Sequence, residues 1–231
     1  MIIEAKTSSK WIAINTIVGI VSLAVLSGCV SSSLALPKIK QEITTESYLS
    51  NQDKGLIVLS VAWWRTWKCA QFENAQLRAF GFDRLPTQTM TDDGAPEIFI
   101  EGSQLYAERQ PVNYVLAVDP GEYALTEFTI KAASSVTDLE IGKVGRSKLF
   151  DGGKPVGGTF KVKAGELVYI GHFGLDCYKE PLIWRYYVEG QEGFERYKKS
   201  IKRQYFFLKV DGMQFQLFKT AVFGRDYELG Q

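Results

Sequence analysis

The chain is 231 residues long, with 27 basic and 26 acidic side chains, one histidine and a formal charge of +1. That balance, with no basic or acidic tail, lacks the clustered positive footprint that nucleic acid requires and gives no electrostatic hold on a membrane surface. The length suffices for one sizeable domain or two small ones, and the lack of a second boundary after residue 54 favours one.

In chain order, ten residues carrying Lys6 and Lys10 precede WIAINTIVGIVSLAVL (11–26), which is apolar except for Asn15, Thr16 and Ser22. A basic start and an apolar run slightly short of the ~20 residues of a spanning helix read as a secretory signal rather than a permanent anchor. Ser27 and Gly28 are small enough for a protease to approach the backbone, and Cys29 sets a thiol beside the membrane. Leu26-Ser27-Gly28-Cys29 resembles the lipobox of bacterial lipoproteins at all four positions. The resemblance implies a diacylglycerol on the sulfur of Cys29, cleavage between Gly28 and Cys29, and acylation of the new amine by a fatty acid such as palmitate. Each buried CH₂ contributes about 0.8 kcal/mol, so several chains hold the protein stably on its membrane. Lipoproteins kept in the inner membrane tend to carry aspartate after the modified cysteine. Val30 stands there in this chain, so the resemblance implies the outer membrane.

The expected organisation is a signal peptide over 1–28, a flexible tether over 29–54 and a single β domain over 55–231. Loss of the leader removes Lys6, Lys10 and Glu4, so that 203 residues remain, with 25 basic and 25 acidic side chains. The stretch VSSSLALPKIKQEITTESYLSNQD (30–53) is polar with few large apolar residues, the composition of a tether. If Cys29 takes lipid, Cys69 and Cys177 remain. In an oxidising compartment they form a disulfide, which across more than 100 residues would stabilise by up to about 4–5 kcal/mol. Two buried free thiols are the alternative.

Beyond the tether come short runs rich in Val, Ile, Tyr and Phe: 55–64, 97–102, 112–118, 122–130, 159–171, 182–189, 204–210 and 214–220. About eight such runs, punctuated by Gly, Asp and Pro, predict an all-β to α+β fold, a β-sandwich with one amphipathic helix near the C-terminus. Asp119-Pro120-Gly121-Glu122 suits a type II turn, which twists the wrong way for a tight hairpin and so carries the chain through a wider loop or between sheets. In 159–171, Ala164-Gly165-Glu166 interrupts a half-exposed strand before a central one. DGGKPVGG (151–158) reads as a mobile loop, since it lacks the ending of a phosphate cradle. The helix is expected over 189–205, with Phe194, Tyr197, Ile201 and Tyr205 on one face and Glu192–Arg196 and Glu195–Lys199 as ion pairs. PGEYAL, FKVKAGELVYIG and LDC followed by this helix resemble a group of envelope lipoproteins with β-sandwich domains of no assigned chemistry, over roughly residues 110–220.

No catalytic constellation stands out. The single histidine, His172, lacks a second His for a metal site, and no Gly-x-Ser-x-Gly elbow accompanies it. The default expectation is a strand-end histidine held by a backbone partner. A hydrolase using His172 with Asp176, or with a cysteine nucleophile, is the minor alternative. Asp92-Asp93-Gly94 lacks the further oxygens of a calcium loop and reads as a turn. In AWWRTWK, Trp63 and Trp64 point to opposite faces if they lie on a strand, so one belongs to the core. Trp64 and Trp67 are the candidate ligand-binding residues, able to stack on sugar rings or a partner. WRYY (184–187) allows packing or binding. The expected function is therefore a non-enzymatic lipoprotein of the cell envelope, without cofactor or metal. Its β domain, periplasm- or surface-facing, binds or supports an envelope protein. The alternative is a module for carbohydrate or peptidoglycan, a cell-wall glycan.

Overall fold

The computed structural model describes residues 43–87, 91–102, 110–220, 222–224 and 227–230, all within one compact unit from Ala35 to Gln231. The leader, Cys29 and the first part of the expected tether lie outside the described residues. The tether does not extend to residue 54. Ile43 is buried, and its N–H donates to the carbonyl of Val115 at 2.9 Å. A capping box then starts helix α1 (Thr45–Ser50): Thr44 Oγ1 accepts from the Ser47 N–H, and Ser47 Oγ accepts from the Thr44 N–H. The buried isoleucine and Tyr48, whose ring lies 5.8 Å from that of Phe207, dock this short polar stretch.

The remaining elements are β1 (Gly55–Val61), β2 (Thr66–Cys69), β3 (Phe72–Arg84), β4 (Ile98–Glu101), β5 (Val112–Val118), β6 (Gly121–Ala133) and β7 (Leu139–Val144), then α2 (Arg146–Leu149), β8 (Phe150–Asp151), β9 (Lys154–Pro155), β10 (Thr159–Val162), β11 (Leu167–Asp176), β12 (Leu182–Tyr186), α3 (Gly190–Gln204) and β13 (Gln214–Phe215). One sheet runs β12-β11-β1-β5, with β13 beside β11; the other runs β10-β6-β3-β2, with β4 on β3 and β7 on β6. The fold is mostly β with a single long helix, as expected, and it is a sandwich. Asp119-Pro120 carries the chain from β5 in the first sheet to β6 in the second, but not as the expected type II turn: Gly121 does not take positive φ and is already the first residue of β6, paired with Val162. Gly165 (φ +72°) carries the chain between the sheets from β10 to β11.

β1 is buried along its whole length because it faces two interiors. Ile57, Leu59 and Val61 point between the sheets, among Phe80, Phe82, Phe160, Phe173 and Phe218. Leu56 and Val58 point the other way, under α3. The helix presents the expected stripe, with Phe194, Tyr197, Ile201 and Tyr205 all buried. Glu192 pairs with Arg196 as expected, but Glu195 takes Lys198 at 2.6 Å rather than Lys199.

Three corrections follow from local geometry. Residues 204–210 are not a strand: the aromatic run Tyr205-Phe206-Phe207 terminates α3, with Phe206 79% exposed, and a 3₁₀ turn follows at Val210–Gly212. DGGKPVGG is a β8–β9 hairpin whose two central glycines both take positive φ, the requirement of a two-residue hairpin turn. β3, β2 and β7 were absent from the expected strands. β3 carries an extra residue, Arg78, where its register with β6 shifts, so its inward positions change from Ala75 and Leu77 to Phe80 and Phe82 and the alternation is masked.

β6 and β11 shift in the same way. In β11, Val58 pairs with Tyr169 but Leu59 pairs with Gly171. Gly171 sits at φ +119°, and a Cβ there would meet the Tyr186 carbonyl at 3.1 Å, so only glycine fits this bulge.

Candidate functional site

Cys69 and Cys177 are joined as a disulfide across 108 residues. It ties the β2–β3 turn to the segment after β11, and the Ala70 N–H donates to the Cys177 carbonyl at 3.2 Å. Lys68 and Ala70, on either side of Cys69, hold φ of 54° and 51°, the left-handed region that non-glycine residues rarely adopt. The hairpin is thus bent tightly and pinned to the opposite sheet. The bridge also removes either cysteine as a nucleophile for His172.

The tryptophans separate by role. Trp63 is in the core, donating Nε1–H to Tyr114 Oη at 2.7 Å. Trp64 is half-buried. Trp67 on β2 is 65% exposed, with the Arg65 guanidinium 5.4 Å from its ring centre. Of the two candidates, Trp67 is the one displayed to solvent. WRYY is packing: Trp184 lies against the core between the sheets, Arg185 is buried, and Tyr187 stacks on Tyr227 at 4.2 Å.

His172 is not at a strand end and its partner is not backbone. It lies within β11, buried, with Nδ1 hydrogen-bonded to the Tyr169 hydroxyl and its ring 5.1 Å from those of Tyr186 and Tyr197. Burial lowers its pKa from 6.5 to about 4. Next to it, Ser60 Oγ bonds both Tyr197 Oη, at 3.1 Å, and Asn113 Oδ1. Asp176 is four residues further along the strand, about 13 Å away, and its carboxylate accepts from the Tyr178 N–H. The structure does not bring His172 and Asp176 together.

Asp92 accepts from the N–H and hydroxyl of Ser147, at 3.0 and 2.7 Å, which docks its loop on α2. Arg146 is buried beside it, donating to Asp83 Oδ2 through Nε and Nη2 and to the Gly94 carbonyl through Nη1. The acidic triplet is a clamped turn. Among the described residues no three His, Cys, Asp or Glu side chains gather as a metal site.

The feature that sequence reasoning missed is a half-open groove of about 500 Å³ at the β7 end of the sandwich. The inward side chains of β6 (Phe128, Ile130, Ala132) form its floor, and Glu140, Gly142 and Val144 of β7 stand opposite them in register. Leu149 of α2 and Leu182 of β12 close the sides. Gln71 and Phe72, at the tip of the disulfide hairpin, and Glu180 and Pro181, shortly after Cys177, form the rim. The volume is within the usual range of ligand pockets, with an apolar floor and few polar groups. Its signal in the sequence was the pair β6–β7: the second strand reads LEIGKV, too polar and too short to stand out alone.

Fold and site together define a disulfide-pinned β-sandwich with one helix-covered sheet and one open apolar end. No protein-family model, no curated protein and no solved structure matches the chain.

Proposed function

We propose that the chain is a lipid-anchored, non-enzymatic lipoprotein of the bacterial envelope whose β domain binds or supports another envelope component. The observation that carries this reading is the four-residue match Leu26-Ser27-Gly28-Cys29 after a basic and apolar leader. The bond between the other two cysteines supports it, since disulfides persist in oxidising compartments outside the cytosol. Cleavage after Gly28 frees the amine of Cys29, acyl chains hold the chain on the membrane, and Val30 favours the outer one. The test is the mass of the N-terminal peptide from membrane-extracted protein. A triacylated Cys29, with Cys29→Ala leaving the leader uncleaved, is the expected result; an unmodified Cys29 on a retained leader would overturn the reading.

A second reading is favoured by one observation. Trp67, exposed beside Arg65 on a pinned hairpin, is a platform on which a sugar ring stacks. Peptidoglycan fragments should then change the tryptophan emission of the protein but not that of Trp67→Ala. The absence of a change at millimolar ligand would count against glycan binding.

A further inference from the structure

We propose that β7 is a docking edge: an extended peptide of a partner adds to it as a strand, placing alternate apolar side chains in the groove and basic side chains against the rim. This deepens the proposed binding role and rests on it. Among the described residues β7 has β6 as its only strand partner, and Leu139 to Lys143 are all exposed, with Ile141 at 68%. Its outer row of N–H and C=O groups is therefore open to a further strand, and main-chain bonds there supply affinity while pockets for alternate side chains supply specificity.

Gly142 provides an independent indication. Glycine inside a strand costs stability, and it is normally retained for a positive φ or for lack of space. Neither holds here. The φ of Gly142 is outside the left-handed region, and a Cβ would meet nothing nearer than the Ile130 carbonyl at 4.0 Å. The fold does not need this glycine. A notch at Gly142, opposite Ile130 on the groove face, is what an incoming side chain needs in order to reach the groove floor. The rim indicates the occupant's charge: Glu140 and Glu180 are exposed, and no ion pair among the described residues engages either. Two free carboxylates against Lys148 favour lysine or arginine flanking the apolar positions, and disfavour an anionic amphiphile.

The test uses the full chain in lipid nanodiscs and a labelled, capped heptapeptide. The peptide carries lysine at both ends, phenylalanine and valine at the third and fifth positions, and threonine elsewhere. Saturable binding that slows amide exchange over residues 139–144 is expected. Gly142→Val should weaken binding at least roughly ten-fold while its unfolding midpoint stays equal or rises. Proline at the peptide's fourth position, or glutamate at its ends, should weaken it too. Glu140→Lys should reverse the preference between lysine and glutamate ends. Unchanged affinity of Gly142→Val, or no saturation at millimolar peptide, would overturn the proposal. Two other outcomes would do the same: octanoate bound where the peptide is not, assigning the groove to acyl chains, and a dimer lost in Gly142→Val, assigning the edge to a second copy. The state of Cys29, read by mass, is unaffected by any of these results, so failure here is separable from failure of the lipoprotein reading.

Discussion

The two ends of the sheet system are finished differently. Over the first sheet, α3 lays Phe194, Tyr197 and Ile201 on Leu56, Val58 and Tyr169, and beneath it Ser60 is bonded to Tyr197 and Tyr169 to His172. At the β7 end, Phe128, Ile130 and Val144 line a groove that stays half open. Both regions are apolar and lined with aromatics, so hydrophobicity does not separate them. The difference is whether another element of the same chain covers the surface, and an uncovered apolar surface beside an unpaired strand edge indicates interaction.

The disulfide gives the strongest test of this contrast, because it holds the open end. Replacing both Cys69 and Cys177 by alanine should lower stability by up to about 4–5 kcal/mol on the loop-entropy estimate, read by urea titration. The groove rim at Gln71 and Glu180 should exchange its amides faster than the α3 side. Equal acceleration at both ends would mean that the bond does not act locally.

Next in size is the covered face. Ile201 is fully buried, and Ile201→Ala should cost about 2–5 kcal/mol by loss of transfer energy plus a cavity. Binding at the open end should be unchanged once the protein is folded. His172 makes the same face sensitive to acid. Its folded pKa, about 4, is below the ordinary 6.5, so the unfolded chain binds the proton more readily and stability rises with pH through that window. The contribution is complete above about pH 6.5 and falls by about 3 kcal/mol as pH drops to 4. The difference between wild type and His172→Gln, measured at pH 7 and pH 4.5, isolates it from the carboxylates. A pH-independent difference would contradict the burial argument. The smallest effect is expected at Trp67→Ala, within about 0.5 kcal/mol because the ring is exposed; a larger loss would make it a packing residue.

The covered face was largely legible in the sequence, and the open end was not. The α3 stripe repeats at helical spacing without interruption, and β1 is a continuous apolar run, so both announce themselves. The crossing between sheets at Asp119-Pro120 and the break at Ala164-Gly165-Glu166 were marked by their Pro and Gly residues, though not the type of the first turn. The cysteine pairing was expected only if Cys29 takes lipid, with two free thiols as the alternative. The groove depends on β3, β6 and β7. Arg78 in β3 and the register shift in β6 change the phase of the inward positions, so no single alternation runs the length of either strand. β7 offers solvent five exposed residues of six, which leaves no apolar face to recognise. Ile43 was hidden for a related reason: a single buried side chain leaves no pattern.

The bulge at Ile170-Gly171 has a consequence for how sequence change is tolerated. Before it, Val168 and Ile170 face the space between the sheets; after it, Phe173 and Leu175 do, and His172 shares the helix side with Tyr169. Strict alternation from Ile170 without a shift of phase would turn His172 inward and Phe173 outward, so the extra residue is what keeps each on its own lining. Deleting Gly171 would remove the extra residue and the change of phase together, leaving His172 on the helix side and Phe173 among the phenylalanines. Deleting Gly174 would instead turn Leu175 out of the interior. The strand can therefore shed a residue at its bulge but not two or three residues beyond it, whereas a deletion in the β6–β7 turn near Val136, which is 99% exposed, should pass almost unnoticed.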